Sequence, residues 1–142
     1  MRFSTRSEYG IRVMVRLGRS FGTGPVALAE LAEQEGLPLS YLEQIAGQLR
    51  RAGLVSSRMG TKGGYALARA PERVSMADIV RSLEGSLAPV SCLAEGGGPG
   101  ECNHADVPCS AHAFWEQLQN TMISALESVS VADLMKEAQQ PA

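Results

Sequence analysis

No apolar run in this chain approaches the ~18–20 residues that a membrane-spanning helix needs. Its start, Met1-Arg2-Phe3-Ser4-Thr5-Arg6, lacks the apolar stretch of a signal peptide. A cytoplasmic protein with no membrane partner is expected. Histidine is scarce: there are 2, His104 and His112, and both sit among the cysteines. No nucleophile–base motif and no paired acid and base stand elsewhere, so the chain is not expected to be an enzyme. Cysteine is limited to 3 residues, Cys92, Cys102 and Cys109. An odd number in a reducing compartment argues against a disulfide framework, and their clustering argues against three unrelated core thiols. There is no internal repeat.

What is present suits one domain, or one domain plus an oligomerisation arm: 142 residues, 44% hydrophobic and 20% charged. The formal charge of −2 hides an asymmetry. Residues 1–73 hold eleven Lys and Arg against six Asp and Glu, a balance of +5, whereas residues 74–142 hold two against nine, a balance of −7. The basic half is the candidate for a polyanionic partner.

Thr5-Arg6-Ser7-Glu8 has the pattern of a capping box opening a helix to about Phe21, with Tyr9, Val13, Met14 and Leu17 inward and Arg12, Arg16 and Arg19 on an exposed side. A second helix is predicted over about 27–35, burying Leu28, Leu31 and Ala32. After Gly36-Leu37-Pro38, Ser40-Tyr41-Leu42-Glu43 is a second capping-box pattern, and the third helix reaches about Ala52. Its inward face is Leu42, Ile45, Ala46 and Leu49. Its outward face is Tyr41, Glu43, Gln44, Gly47, Gln48, Arg50 and Arg51. Two short helices joined by a tight Gly-containing turn, the second polar outside, form a helix-turn-helix pattern.

Two strand-like runs then flank Met59-Gly60-Thr61-Lys62-Gly63-Gly64, which predicts a β-hairpin whose glycines supply positive φ. It is not a phosphate-binding loop, because no Ser or Thr follows the Lys. Placed directly after a helix-turn-helix, such a hairpin is a wing, and Arg58 and Lys62 can reach phosphate or a narrow minor groove. Ser75-Met76-Ala77-Asp78 caps a short helix to about Leu83. A loop to about Cys109 follows and contains every cysteine; loops of that length are usually functional or disordered. A long helix is predicted from Ala111 to about Ser128, where Trp115, Leu118, Met122, Ala125 and Val129 form a heptad-like seam suited to a partner subunit. Ser130-Val131-Ala132-Asp133 starts a last short helix.

The fold class is therefore mainly α with a small β-hairpin: a winged helix-turn-helix domain (1–83), a cysteine-rich loop (84–110), and a dimerisation helix with a short C-terminal helix (111–142). The segments Ser40-Tyr41-Leu42-Glu43-Gln44, Gly53-Leu54-Val55-Ser56-Ser57 and Gly60-Thr61-Lys62-Gly63-Gly64-Tyr65, followed by a Cys/His loop and a long helix, resemble the IscR/NsrR-type winged-helix regulators. The resemblance runs from Met1 to about Lys136. It implies a homodimer with paired long helices, a third helix in the major groove, a wing at the minor groove, and in many members an iron–sulfur cluster whose loss or modification changes DNA binding.

The expected partner is double-stranded DNA with a pseudo-palindromic operator. Gln44 can pair with adenine and Glu43 with a cytosine amino group. Ser40, Tyr41 and Gln48 suit phosphate contacts, and Arg50, Arg51, Arg58 and Lys62 supply sequence-independent charge, with Arg2 and Arg6 adding to it. Members of the family often place an Arg beside the wing glycine, where this chain has Met59.

The sulfur pattern is Cys92-x9-Cys102-x6-Cys109-x2-His112. Three thiolates suit an iron–sulfur cluster, [2Fe-2S] or [4Fe-4S], or zinc. His112 lies within one helical turn of Cys109, and the resemblance places fourth ligands of other members at the positions of His112 and Glu8; His104 is a third candidate. The expected function is a transcriptional regulator whose operator binding is controlled by a cluster sensing redox state, nitric oxide or iron supply. The alternative is a zinc- or thiol-based redox-sensing repressor without a cluster.

Overall fold

A computed structural model describes residues 2–94 and 109–137. The chain begins with α1 (Thr5–Arg19), α2 (Leu28–Glu35) and α3 (Leu39–Arg51). Strands β1 (Val55–Arg58) and β2 (Gly64–Leu67) form an antiparallel hairpin in the register Val55↔Leu67 to Arg58↔Gly64. Then follow α4 (Met76–Glu84), a short 3-10 turn at Ser91–Leu93, α5 (His112–Glu127) and α6 (Val131–Glu137). Among the described residues no helix is long and apolar enough to cross a membrane.

The apolar periodicity of the first four helices selects the core. Val13, Met14 and Leu17 of α1, Leu31 and Ala32 of α2, Leu42, Ile45 and Leu49 of α3, and Met76, Ile79 and Leu83 of α4 meet in one buried cluster with Leu54, Val55 and Leu67 of the hairpin. Each of the Val, Leu, Ile and Met side chains contributes roughly 1.5–3 kcal/mol when fully withdrawn from water. Val131 of α6 joins the same cluster, so the C-terminal end of the chain closes the head that the N-terminal end opens.

Helix starts differ from the sequence patterns. The first helix is entered through Ser4, with no side-chain capping bond, and ends at Arg19; the third is entered through Pro38, again without one. Neither the Thr5–Glu8 nor the Ser40–Glu43 capping box forms. Proline at that position presets the backbone for helix entry, and another carboxylate serves α1, as described below. Two reciprocal boxes do form. Ser75 Oγ accepts from Asp78 N at 3.1 Å while Ser75 N donates to Asp78 Oδ2 at 3.0 Å. The same pair of bonds joins Ser130 and Asp133 at 3.1 and 2.9 Å. The two capped starts lie side by side, joined by Met76 N–Val129 O and Val131 N–Val74 O at 2.9 and 2.8 Å.

Close approach explains three of the glycines in the head and hairpin. A Cβ on Gly10 would overlap Leu83 Cδ1, so α4 seats directly on α1. One on Gly63 would overlap the carbonyl of Arg58, and one on Gly64 would overlap the carbonyl of Val26. Val26 and Tyr65 exchange both backbone bonds at 2.8 Å, which adds a third short strand segment to the hairpin. The positive φ expected of the wing glycines is met at Gly60 (+105°) and Gly64 (+150°), whereas Gly63 is there for space.

Candidate nucleic-acid interface and cysteine segment

The third helix presents its apolar side inward and leaves Ser40, Glu43, Gln44, Arg50 and Arg51 exposed, with Tyr41 and Gln48 half-buried. Each of these is placed by the helical period: Leu42, Ile45, Ala46 and Leu49 are all buried, so the positions between them must face out. The hairpin continues the same polar surface. Arg58 and Lys62 are exposed beside its tip, where Met59 is 93% exposed. Arg50 Nη1 donates to Ser57 Oγ at 3.3 Å and so ties the end of α3 to β1.

Two of the outward side chains are held from α1. Thr5 Oγ1 and Tyr41 Oη share a hydrogen bond of 2.8 Å, and Arg6 Nη1 donates to Gln48 Oε1 at 3.5 Å. The ring of Tyr41 meets the ring of Tyr9 edge-on, with centroids 6.4 Å apart. The arginine stripe of α1 does not form part of this surface. Arg12 and Arg16 both pair with Glu35, whose side chain is 2% exposed. Arg12 Nε is 2.7 Å from Glu35 Oε2, as an ion pair without hydrogen-bond alignment.

The cysteines are arranged less compactly. Cys92 is half-buried in the Ser91–Leu93 turn and Cys109 is exposed just before α5. Cys102 and His104 lie outside the described residues. His112, at the first turn of α5, has Nε2 3.7 Å from Glu116 Oε2. Glu8 is exposed on α1. Among the described residues no three Cys, His, Asp or Glu side chains come together as a metal-binding group. Soft thiolates from one segment have the right chemistry for an iron–sulfur cluster or zinc; the described part of that segment supplies two of them.

One residue at the root of this segment had no signal in the sequence. Glu84, the last residue of α4, accepts three hydrogen bonds from the first turn of α1, and its role is visible only once those two helices are packed.

Residues 3–137 match the Rrf2 family, described as iron-dependent transcriptional regulators. The chain belongs to the Rrf2 family. It is 35% identical over 136 residues to the HTH-type transcriptional regulator IscR of Xenorhabdus nematophila, covering 96% of this chain and 80% of that protein. It is 34% identical over 134 residues to the HTH-type transcriptional regulator CymR of Bacillus subtilis, covering 94% and 89%. Solved structures agree. T. potens IscR superposes with a TM-score of 0.75 at 36% identity, covering 100% of this chain and 93% of that one. CymR, the global cysteine regulator of B. subtilis, gives 0.76 at 32%, covering 96% and 98%. The oxidized form of Staphylococcus aureus CymR gives 0.73 at 30%, covering 100% and 99%.

The Rrf2 chain is thus a winged-helix transcriptional regulator and not an enzyme, as its relatives are. The hairpin is the wing of that fold.

Proposed function

We propose that this Rrf2 protein reads a pseudo-palindromic DNA operator as a homodimer, with α3 in the major groove and the β1–β2 wing at the minor groove. Its operator binding is controlled by an iron–sulfur cluster held by Cys92, Cys102 and Cys109. The observation that supports the reading most directly is the continuous exposed surface of Ser40, Glu43, Gln44, Arg50, Arg51, Arg58 and Lys62, none of it packed inside the protomer. In this reading residues 1–83 form the reading head, 84–110 the sensing segment, and 111–142 the pairing arm, whose last helix returns to the head.

Pairing through α5 is supported by its exposure. This 16-residue helix has no buried residue, and Phe114 and Leu118 are 57% and 41% exposed. Two heads joined along such helices place two α3 helices about one DNA turn apart. Gln44 and Glu43 then address base edges, and the arginines and Lys62 address phosphates.

The cluster reading rests on the three thiols and on the family's iron dependence. When bound, an iron–sulfur cluster would supply a centre sensitive to oxidants, nitric oxide and iron supply. The chain's own contribution is placement: Cys92 follows α4 and Cys109 precedes α5, so their segment bridges the head and the pairing helix. His112 is the first candidate for a fourth ligand and Glu8 the second, with His104 a third.

A zinc- or thiol-based repressor is a second reading, favoured by one observation. The fold matches CymR, the global cysteine regulator of B. subtilis, as closely as it matches IscR. Anaerobic purification and reconstitution separate the two. A coloured protein containing iron and sulfide, lost in Cys92→Ala, supports the cluster. A colourless protein holding zinc, or forming a reversible disulfide on oxidation, establishes the second reading. Selection of duplexes from a random library, followed by footprinting, tests the DNA arm: two protected half-sites one turn apart are expected.

A further inference from the structure

One carboxylate oxygen, at the last residue of α4, pins the start of α1. Glu84 Oε1 accepts from Ser4 N at 2.6 Å, from Ser4 Oγ at 2.6 Å and from Ser7 Oγ at 2.7 Å. Ser4 enters the helix with no side-chain capping bond of its own, and Ser7 is 1% exposed, so its hydroxyl depends on a protein partner. Bonds to an ionised acceptor are the stronger kind. Burial pushes the Glu84 carboxyl up in pKa, but the hydrogen bonds from Ser4 and Ser7 and the charge of Arg6 outweigh it, leaving it below its usual value.

The same turn of α1 reaches α3 on its other side. Thr5 lies between Ser4 and Ser7 in sequence and bonds Tyr41; Arg6, next to it, bonds Gln48. On the other side of Glu84 the helix stops at Gly85, with φ +86°, and the chain runs on to Cys92, eight residues beyond the carboxylate. Glu84 therefore stands where the cysteine-bearing segment leaves the head, with one hydrogen-bonded turn between it and two outward side chains of α3.

We propose that Glu84 is a positioning residue for DNA reading: it fixes the first turn of α1, which fixes Tyr41 and Gln48 on α3, and it links that face to the root of the cysteine segment. This rests on the reading of α3 as the DNA-reading helix. Without Glu84 the Ser4 N–H and the Ser7 hydroxyl lose their acceptor and the first turn frays. Thr5 and Arg6 no longer hold their partners, and Tyr41 and Gln48 must be ordered at the moment of binding, which costs affinity. A change that displaces Glu84 from the segment side acts on DNA through the same bonds.

The test is a set of double-mutant cycles on the full chain, read by fluorescence anisotropy with a palindromic duplex selected by the wild-type protein. Thermal unfolding of each variant runs alongside, so affinity is compared only where the protein is folded. Glu84→Ala is expected to weaken binding about tenfold, Glu84→Gln less, and Ser7→Ala to reproduce part of the loss should Glu84→Ala not fold. Tyr41→Phe is expected to weaken wild type but to cost little more in the Glu84→Ala background. Arg58→Ala, on the wing, is expected to cost the same in both. Losses that multiply for Glu84 and Tyr41, or a Glu84→Ala protein with wild-type affinity, overturn the inference alone. No effect of either Tyr41→Phe or Arg58→Ala overturns the reading of the DNA surface, and this inference with it.

Discussion

Gly18 of α1 lies directly against Val131 of α6: a Cβ added to Gly18 would stand 2.8 Å from Val131 Cγ1. Met135 Sδ would be 2.9 Å away. Val131 is fully buried and, being β-branched, has little freedom to turn aside. Gly18→Ala should therefore push α6 off α1, and the overpacking should outweigh the gain in helix propensity, for a net loss of about 1–3 kcal/mol. Urea denaturation measures it; a variant as stable as wild type would show that α6 is not seated there.

The wing arginine and lysine are predicted to act as phosphate contacts. Arg58→Ala and Lys62→Ala should each weaken operator binding and reduce the slope of log K against log salt by about one per subunit contact. Both side chains are exposed and lie outside the core, so stability should be unchanged. Titrations at several salt concentrations decide it: slopes equal to wild type would remove the wing from the interface.

Acid should loosen the N-terminal turn. Glu84 and Asp133 both titrate below their usual values, 4.5 and 3.8. For Asp133 the leading cause is the backbone bond from Ser130, then the bond from its hydroxyl. A depressed folded-state pKa stabilises the fold above the unfolded value, and that contribution is lost as pH falls through the folded one. Unfolding midpoints should hold steady near neutrality and drop below about pH 4.5. Glu84→Gln should start lower and show a shallower acid slope. Midpoints followed from pH 7 to pH 3 check it, and an unchanged slope would mean that Glu84 keeps its proton equilibrium on folding.

The proposed dimer pairing through α5 should be sensitive to one charge. Leu118→Glu places a carboxylate on the exposed apolar side of the helix, and by symmetry the dimer meets it twice. A rise in the dimer dissociation constant of about 100-fold or more is expected, with the head still folded. Sedimentation velocity gives the answer, and an undisturbed dimer would move the interface elsewhere.

The amphipathic period of residues 42–49 fixed both the core and the outward face of α3, because a helix repeats every 3.6 residues whatever it packs against. The same argument held for α4, where Met76, Ile79, Val80 and Leu83 are buried as their spacing predicts. It held less well for α5. Val129 belongs to the predicted seam, yet it packs against the protomer's own core while Leu118 stays exposed, because a single stripe does not say which neighbour covers each part of it. Capping was legible where Ser and Asp had no competitor, at Ser75 and Ser130. It was misleading at Thr5 and Ser40, where the chain enters the helix through Ser4 and Pro38.

The sequence by itself determined the order of elements, the winged-helix class and which side of α3 faces outward, since each depends on local periodicity, turn chemistry and side-chain type. It also singled out the three cysteines. Only the tertiary structure decided that Glu84, rather than Glu8, serves the start of α1, that Glu35 gathers Arg12 and Arg16, and that α6 closes onto Gly18. Those partners lie 19 to 117 residues apart in the chain. No local pattern encodes such contacts; they exist because packing the apolar faces brings these particular polar and small groups within reach.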